Sequence, residues 1–107
     1  MKNMTALTSS VLFGFILLTS IVDAGAISIG LNIYSNKIKD QCGDKTSGSF
    51  ASAFSQNEWE EALITGKFES KVKEICPQLH TYNMQWTPYL FEFSYEYAND
   101  TGKEPTL

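Results

Sequence analysis

The chain has 107 residues, 43% of them hydrophobic, with 12 acidic side chains against 8 basic ones, all lysine, and a net charge of −4. That balance argues against nucleic acid as a partner, because phosphate binding needs a basic face. The absence of arginine also removes the usual bidentate clamp for phosphate or carboxylate, and a chain this short makes one domain.

The first segment reads as a leader. Lys2 is the only charge before an apolar run from Val11 to Val22, and Ala24-Gly25-Ala26 follows. A basic start, an apolar middle and an A-x-A exit predict a secretory signal peptide over 1–26, cleaved after Ala26, with Ala24 as the alternative point. The competing reading is an uncleaved anchor, since a span needs about 20 apolar residues. Asn3, Thr5, Thr8, Ser9 and Ser10 dilute the stretch too much for that. The expected product is a periplasmic or secreted domain, 27–107, with no membrane association after cleavage.

Four helical segments follow. The first is expected over 29–41, from the four-residue spacings Ile29/Ile33, Gly30/Tyr34 and Tyr34/Ile38, with Lys37 and Lys39 near its negative end. Gly43 to Ser49 reads as a loop, and Phe50-Ala-Ser-Ala-Phe54 as a short helical turn. Ser55-Gln-Asn-Glu58 is a capping box, placing Trp59 and Leu63 on one face, and Gly66 is a left-handed stop. Phe68, Val72, Ile75 and Cys76 form the apolar stripe of the next helix, which Pro77 ends.

The residues from Pro77 to Trp86 form an irregular connector. Thr87-Pro88 then reads as an N-cap and first-turn proline. The last segment carries two patterns. Tyr89, Phe91, Phe93, Tyr95 and Tyr97 alternate as in a strand, while Leu90, Phe93 and Tyr97 share a helical face. The Thr-Pro start, the Asn99-Asp-Thr-Gly102 exit and the lack of a partner strand select the helix.

Residues 27–107 contain two cysteines, Cys42 and Cys76, each followed by a helix breaker. In an oxidising compartment such a pair is expected to form a disulfide between two helix ends. Alternatives are a reactive thiol pair, for which the spacing is unlike C-x-x-C, or reduced cysteines serving as metal or haem ligands.

Gly30-Leu-Asn-Ile-Tyr34 followed by Cys42-Gly43 resembles the opening of small class I c-type cytochromes. A wider set resembles a group of short secreted proteins of epsilon-class bacteria often labelled cytochrome c-like: Phe50-Ala51, Glu58-Trp59, Gly66-Lys-Phe-Glu69, Ile75-Cys-Pro77, Tyr89-Leu90 and Tyr95-Glu-Tyr-Ala-Asn-Asp100. The resemblance implies an all-α, cytochrome c-like domain in which Gly30 and Tyr34 cross a C-terminal helix at Leu90, Phe93 and Tyr97. The chain departs from the cytochromes at the haem motif. Cys42 stands alone, with Lys39 at the position of the first thioether cysteine and Gly43 at that of the histidine.

No ordinary haem attachment is therefore expected, and no cofactor. His80, the sole histidine, and Met84 in the connector are the remaining candidates for haem or copper ligation, set against the plainer reading of surface and packing residues. Glu58, Glu60 and Glu61 read as dipole compensation rather than a catalytic pair. Tyr82, Trp86, Tyr89 and Phe91 read as core and rim rather than a ligand cage. Nothing argues for an enzyme. The expected function is that of a binding or accessory protein, in electron transfer or redox assembly, with a protein partner. The alternatives are an electron carrier holding haem or copper non-covalently through His80 and Met84, and a secreted effector or inhibitor.

Overall fold

The computed structural model describes residues 25–106. The leader expected over 1–26 lies outside the described residues except for Gly25 and Ala26, which are in the first helix. The described chain is all-helical, without a strand, and is closed by one disulfide. No helix among the described residues is long and apolar enough to cross a membrane.

The first helix, α1, covers residues 25–33 and continues through a wide π turn, Tyr34–Ile38, into a tight 3-10 turn, Lys39–Cys42. The π turn is marked by Lys39 N–H donating to the Tyr34 carbonyl. Residues four apart on a regular helix drift by about 40° around the axis. Tyr34 and Ile38, the two ends of the π turn, are both fully buried. Gly43 ends the run in a left-handed conformation, φ 64°.

The next helix, α2, is Ser47–Ala51 rather than a turn over Phe50 to Phe54. Thr46 moves its start upstream, because the Thr46 hydroxyl accepts the Ser49 N–H at 3.0 Å and caps it. Phe54 lies beyond the helix, half-buried against the core.

Helix α3, Gln56–Ile64, starts at the capping box. Ser55 Oγ accepts the Glu58 N–H at 3.2 Å, and Glu58 accepts the Ser55 N–H at 2.8 Å. That bond holds the Glu58 carboxyl below the usual range. The helix ends in a Schellman turn. Lys67 N–H donates to the Ala62 carbonyl and Gly66 N–H to that of Leu63, with Gly66 at φ 75°. Helix α4, Phe68–Ile75, buries Phe68, Val72 and Ile75 and hands over to Cys76.

The final helix, α5, is Thr87–Glu96, entered from a 3-10 turn, Met84–Trp86. Thr87 is thus the first helical residue, not the cap. The 3-10 turn already carries helical backbone into it, and the Thr87 hydroxyl is engaged by Tyr82 Oη at 2.7 Å. Leu90 and Phe93 are fully buried, so the helical face governs this segment and the alternating aromatics do not.

The core is a run of rings. Tyr34 packs on Phe50 with centroids 4.6 Å apart, Phe50 on Trp59 at 5.7 Å, and Trp59 on Phe68 at 5.3 Å. Phe93 stacks 6.5 Å from both Tyr34 and Phe50. Each fully buried side chain of this kind contributes roughly 1.5–3 kcal/mol. The polar tips are satisfied: Trp59 Nε1 donates to the Ala51 carbonyl at 2.9 Å, and Tyr34 Oη to that of Lys45 at 2.6 Å.

Gly30 lets α1 meet α5. A Cβ built there would stand 2.1 Å from the Tyr89 carbonyl oxygen and 2.8 Å from Phe93 Cβ. No rotamer change relieves a clash with backbone. Gly30→Ala is therefore expected to destabilise by about 1–3 kcal/mol or more, read as a lower denaturant midpoint, and a wild-type midpoint would contradict the close crossing.

Candidate functional site: the disulfide and the strap beside it

Cys42 ends the 3-10 turn that continues α1 and Cys76 is the C-cap of α4, so their disulfide ties two helix ends, with Cα atoms 4.4 Å apart. Both residues belong to the core cluster and are 3% and 0% exposed. No free cysteine remains. The chain leaves Cys76 through Pro77 as an irregular strap, residues 77–83. Leu79 drops into the same core, while His80 and Thr81 run back beside the end of α1.

Gln41, the neighbour of Cys42, holds that strap. Its Oε1 accepts the N–H groups of His80 and Thr81, each at 2.9 Å. Its Nε2 donates to the Thr81 carbonyl at 3.1 Å and to the Lys37 carbonyl at 2.9 Å. One side-chain amide thus supplies the donors and acceptors that a neighbouring strand would supply, while anchored to its own helix. Sequence reasoning placed Gln41 only as the last residue of a helix. A glutamine beside a cysteine carries no local signal of this role.

The two candidate ligands lie on the strap and just after it. His80 is exposed, with Nδ1 3.2 Å from the Gln78 carbonyl. Met84 is 65% exposed on the 3-10 turn. It borders a shallow groove of about 320 Å³, with Leu63, Phe68, Lys73 and Thr87 among the other walls. Among the described residues, no group of three or more His, Cys, Asp or Glu is placed to hold a metal ion. Covalent haem needs paired thioether cysteines followed by histidine. The Cys42 sulfur is already bonded to Cys76, and Gly43 follows it. The residues present do not fit a covalently attached haem.

The remaining singled-out residues are spread over the fold. Glu58 is committed to the α3 cap, and Glu60 and Glu61 lie exposed beside Ile64. Tyr82 meets Trp86 edge to face at 5.5 Å, and burial pushes its hydroxyl pKa up. Phe91 packs between Phe68 and Tyr95, at 6.5 and 5.3 Å, and Tyr89 is 37% exposed. At the crossing, Gly30, Tyr34, Leu90 and Phe93 are buried together, and Tyr97 covers Phe93 from outside at 5.6 Å.

No family model, curated protein or solved structure matches the chain.

Two outcomes follow for this region. The disulfide spans a sequence separation of 34, for which the chain-entropy relation gives about 4 kcal/mol. Replacing both cysteines by serine should lower stability by that order. Mass spectrometry should find native protein unreactive towards alkylating agents until it is reduced, and free thiols would refute the staple.

The second outcome concerns Tyr34, whose pKa burial raises to about 12, with Asp44 adding to the shift. A tyrosine that ionises near 10 when unfolded and near 12 when folded favours the folded state below pH 10. That contribution, roughly 2–3 kcal/mol, is lost as pH rises from 10 to 12. Tyr34→Phe should remove this slope, as followed by denaturant midpoints across that interval; equal slopes in both proteins would contradict it.

Proposed function

We propose that the chain is a secreted or periplasmic binding protein, arranged like a small c-type cytochrome but without haem attachment, in which a disulfide takes over as the core staple. One observation carries the reading: Cys42, which stands where the haem-attachment motif would close, spends its sulfur on Cys76. Two others support it. Gly30 brings α1 against the aromatic C-terminal helix in the manner the resemblance implies. The interior is filled by the rings of Trp59, Phe50, Tyr34 and Phe93, all fully buried.

On this reading the protein acts by contact with another protein, in electron transfer or redox assembly, and performs no chemistry of its own. The leader over 1–26 and the acidic balance of the chain fit export and a protein partner better than nucleic acid.

The test is spectroscopic. Protein purified from an oxidising compartment is expected to lack a Soret band and to show no saturable one-to-one binding of haem or Cu(I). A Soret band at one haem per chain would overturn the reading. So would saturable binding lost in the His80→Ala, Met84→Ala double variant, which would make the protein an electron carrier instead.

A further inference from the structure

The disulfide is sealed in the closed fold, since Cys42 and Cys76 are 3% and 0% exposed. Thiol–disulfide exchange needs a thiolate to reach a sulfur in line, so a sealed bond reacts only after something opens. The bond from Cys42 to Cys76, the chain from Cys76 to His80, and the hydrogen bonds from His80 back to Gln41 close a small ring. One side of that ring is covalent. The other rests on a single side chain, Gln41, which makes three hydrogen bonds to His80 and Thr81. Among the described residues, these are the side-chain hydrogen bonds that tie 77–81 to another element. His80 and Thr81 are themselves exposed, so Leu79 is the apolar anchor of this stretch.

We propose that Gln41 is the latch of a redox-sensitive strap: dithiols reduce the Cys42–Cys76 bond only when residues 77–81 lift, hinging before Tyr82, which stays bound to Thr87, and Gln41 sets how often they do. In the open state a thiolate of the dithiol attacks one sulfur, the S–S bond breaks, and the other cysteine leaves as a thiolate. The second thiol of the reductant then displaces the first cysteine and closes as a cyclic disulfide. The dithiol is oxidised by two electrons, and the protein is left with two thiols. The strap carries His80 and leads into Met84, so reduction also frees the segment holding the sole histidine of the chain. A partner that grips the strap would thereby make the staple reducible, while dithiols acting on the closed protein would find it resistant. The inference holds whatever partner the protein serves.

The experiment measures the rate of reduction by dithiothreitol, with alkylation and mass spectrometry as the readout. Gln41→Ala is expected to raise the rate about tenfold or more, because the strap loses three bonds at once. Gln41→Glu, which keeps an acceptor for the two N–H groups but loses the donor, should fall between wild type and Gln41→Ala. Ser55→Ala weakens the α3 cap, and with it the whole fold, without touching the strap. It should leave the rate near that of wild type.

Reduction of Gln41→Ala at the wild-type rate would overturn the proposal. Equal acceleration by Ser55→Ala would overturn it too, by showing that global unfolding is the route. Should Gln41→Ala fail to fold, amide exchange of the wild-type protein decides. The His80 and Thr81 amides should exchange much faster than that of Phe93 in α5, and protection as strong as that of Phe93 would refute a local opening.

Discussion

The contact on which the rest of this structure depends is the approach of α1 to α5 at Gly30. A helix backbone packs directly against the Tyr89 carbonyl there, at a separation that excludes even one methyl group. Close approach at this point brings Tyr34 within stacking distance of Phe93, and Phe50 is then held by both rings. Trp59 and Phe68 extend the same stack towards α3 and α4. Ring packing of this kind is non-directional in its main energy but specific in its geometry. A shift of α1 by one side chain would be felt along the whole row. The disulfide acts on a different quantity. It limits the freedom of the unfolded chain, and it does so between the two helix ends that the ring stack leaves unjoined.

Much of this was legible in the residues because it rests on local chemistry. The Ser55–Glu58 box, the Gly66 stop, the Pro77 break and the Phe68–Val72–Ile75 stripe each express a rule confined to a single turn or helix face. The C-terminal segment was harder. Its alternating aromatics satisfy the strand period and the helix period at once. Its borders, and the lack of any strand to pair with, select the helix. Phe50 and Phe54, four apart, mimic one helical face and so hide the true start of α2. Thr46 caps the chain earlier, and Phe54 reaches the core from outside the helix.

What stayed hidden is mostly polar and non-local. Gln41 satisfies backbone groups about 40 positions away, and nothing in its neighbourhood marks it. Helix periodicity says which face is apolar, not which exposed amide will find a distant loop. The same holds for Gln56, whose side chain donates to the Tyr95 carbonyl and whose backbone N–H donates to Asp100, fastening the start of α3 to the end of α5. The haem question, by contrast, was legible. Both the missing motif and the pairing of Cys42 with Cys76 could be read from the residues, and the fold brings the two helix ends together as that pairing requires.

The π turn at Tyr34–Ile38 has a consequence for the permitted lengths of this chain. A single-residue deletion within it would restore an ordinary helical ladder, an improvement if local hydrogen bonding were all that mattered. It would also rotate everything before the turn by about 100° relative to everything after it. Gly30 would swing off α5 while Cys42 stayed in place, or the reverse. The glycine crossing and the cysteine staple therefore fix the residue count between them. Substitutions can be absorbed at the exposed positions of that stretch, Asn32, Asn36, Lys37 and Asp40, but insertions and deletions anywhere in it should be selected against far more strongly than in the exposed tail beyond Gly102.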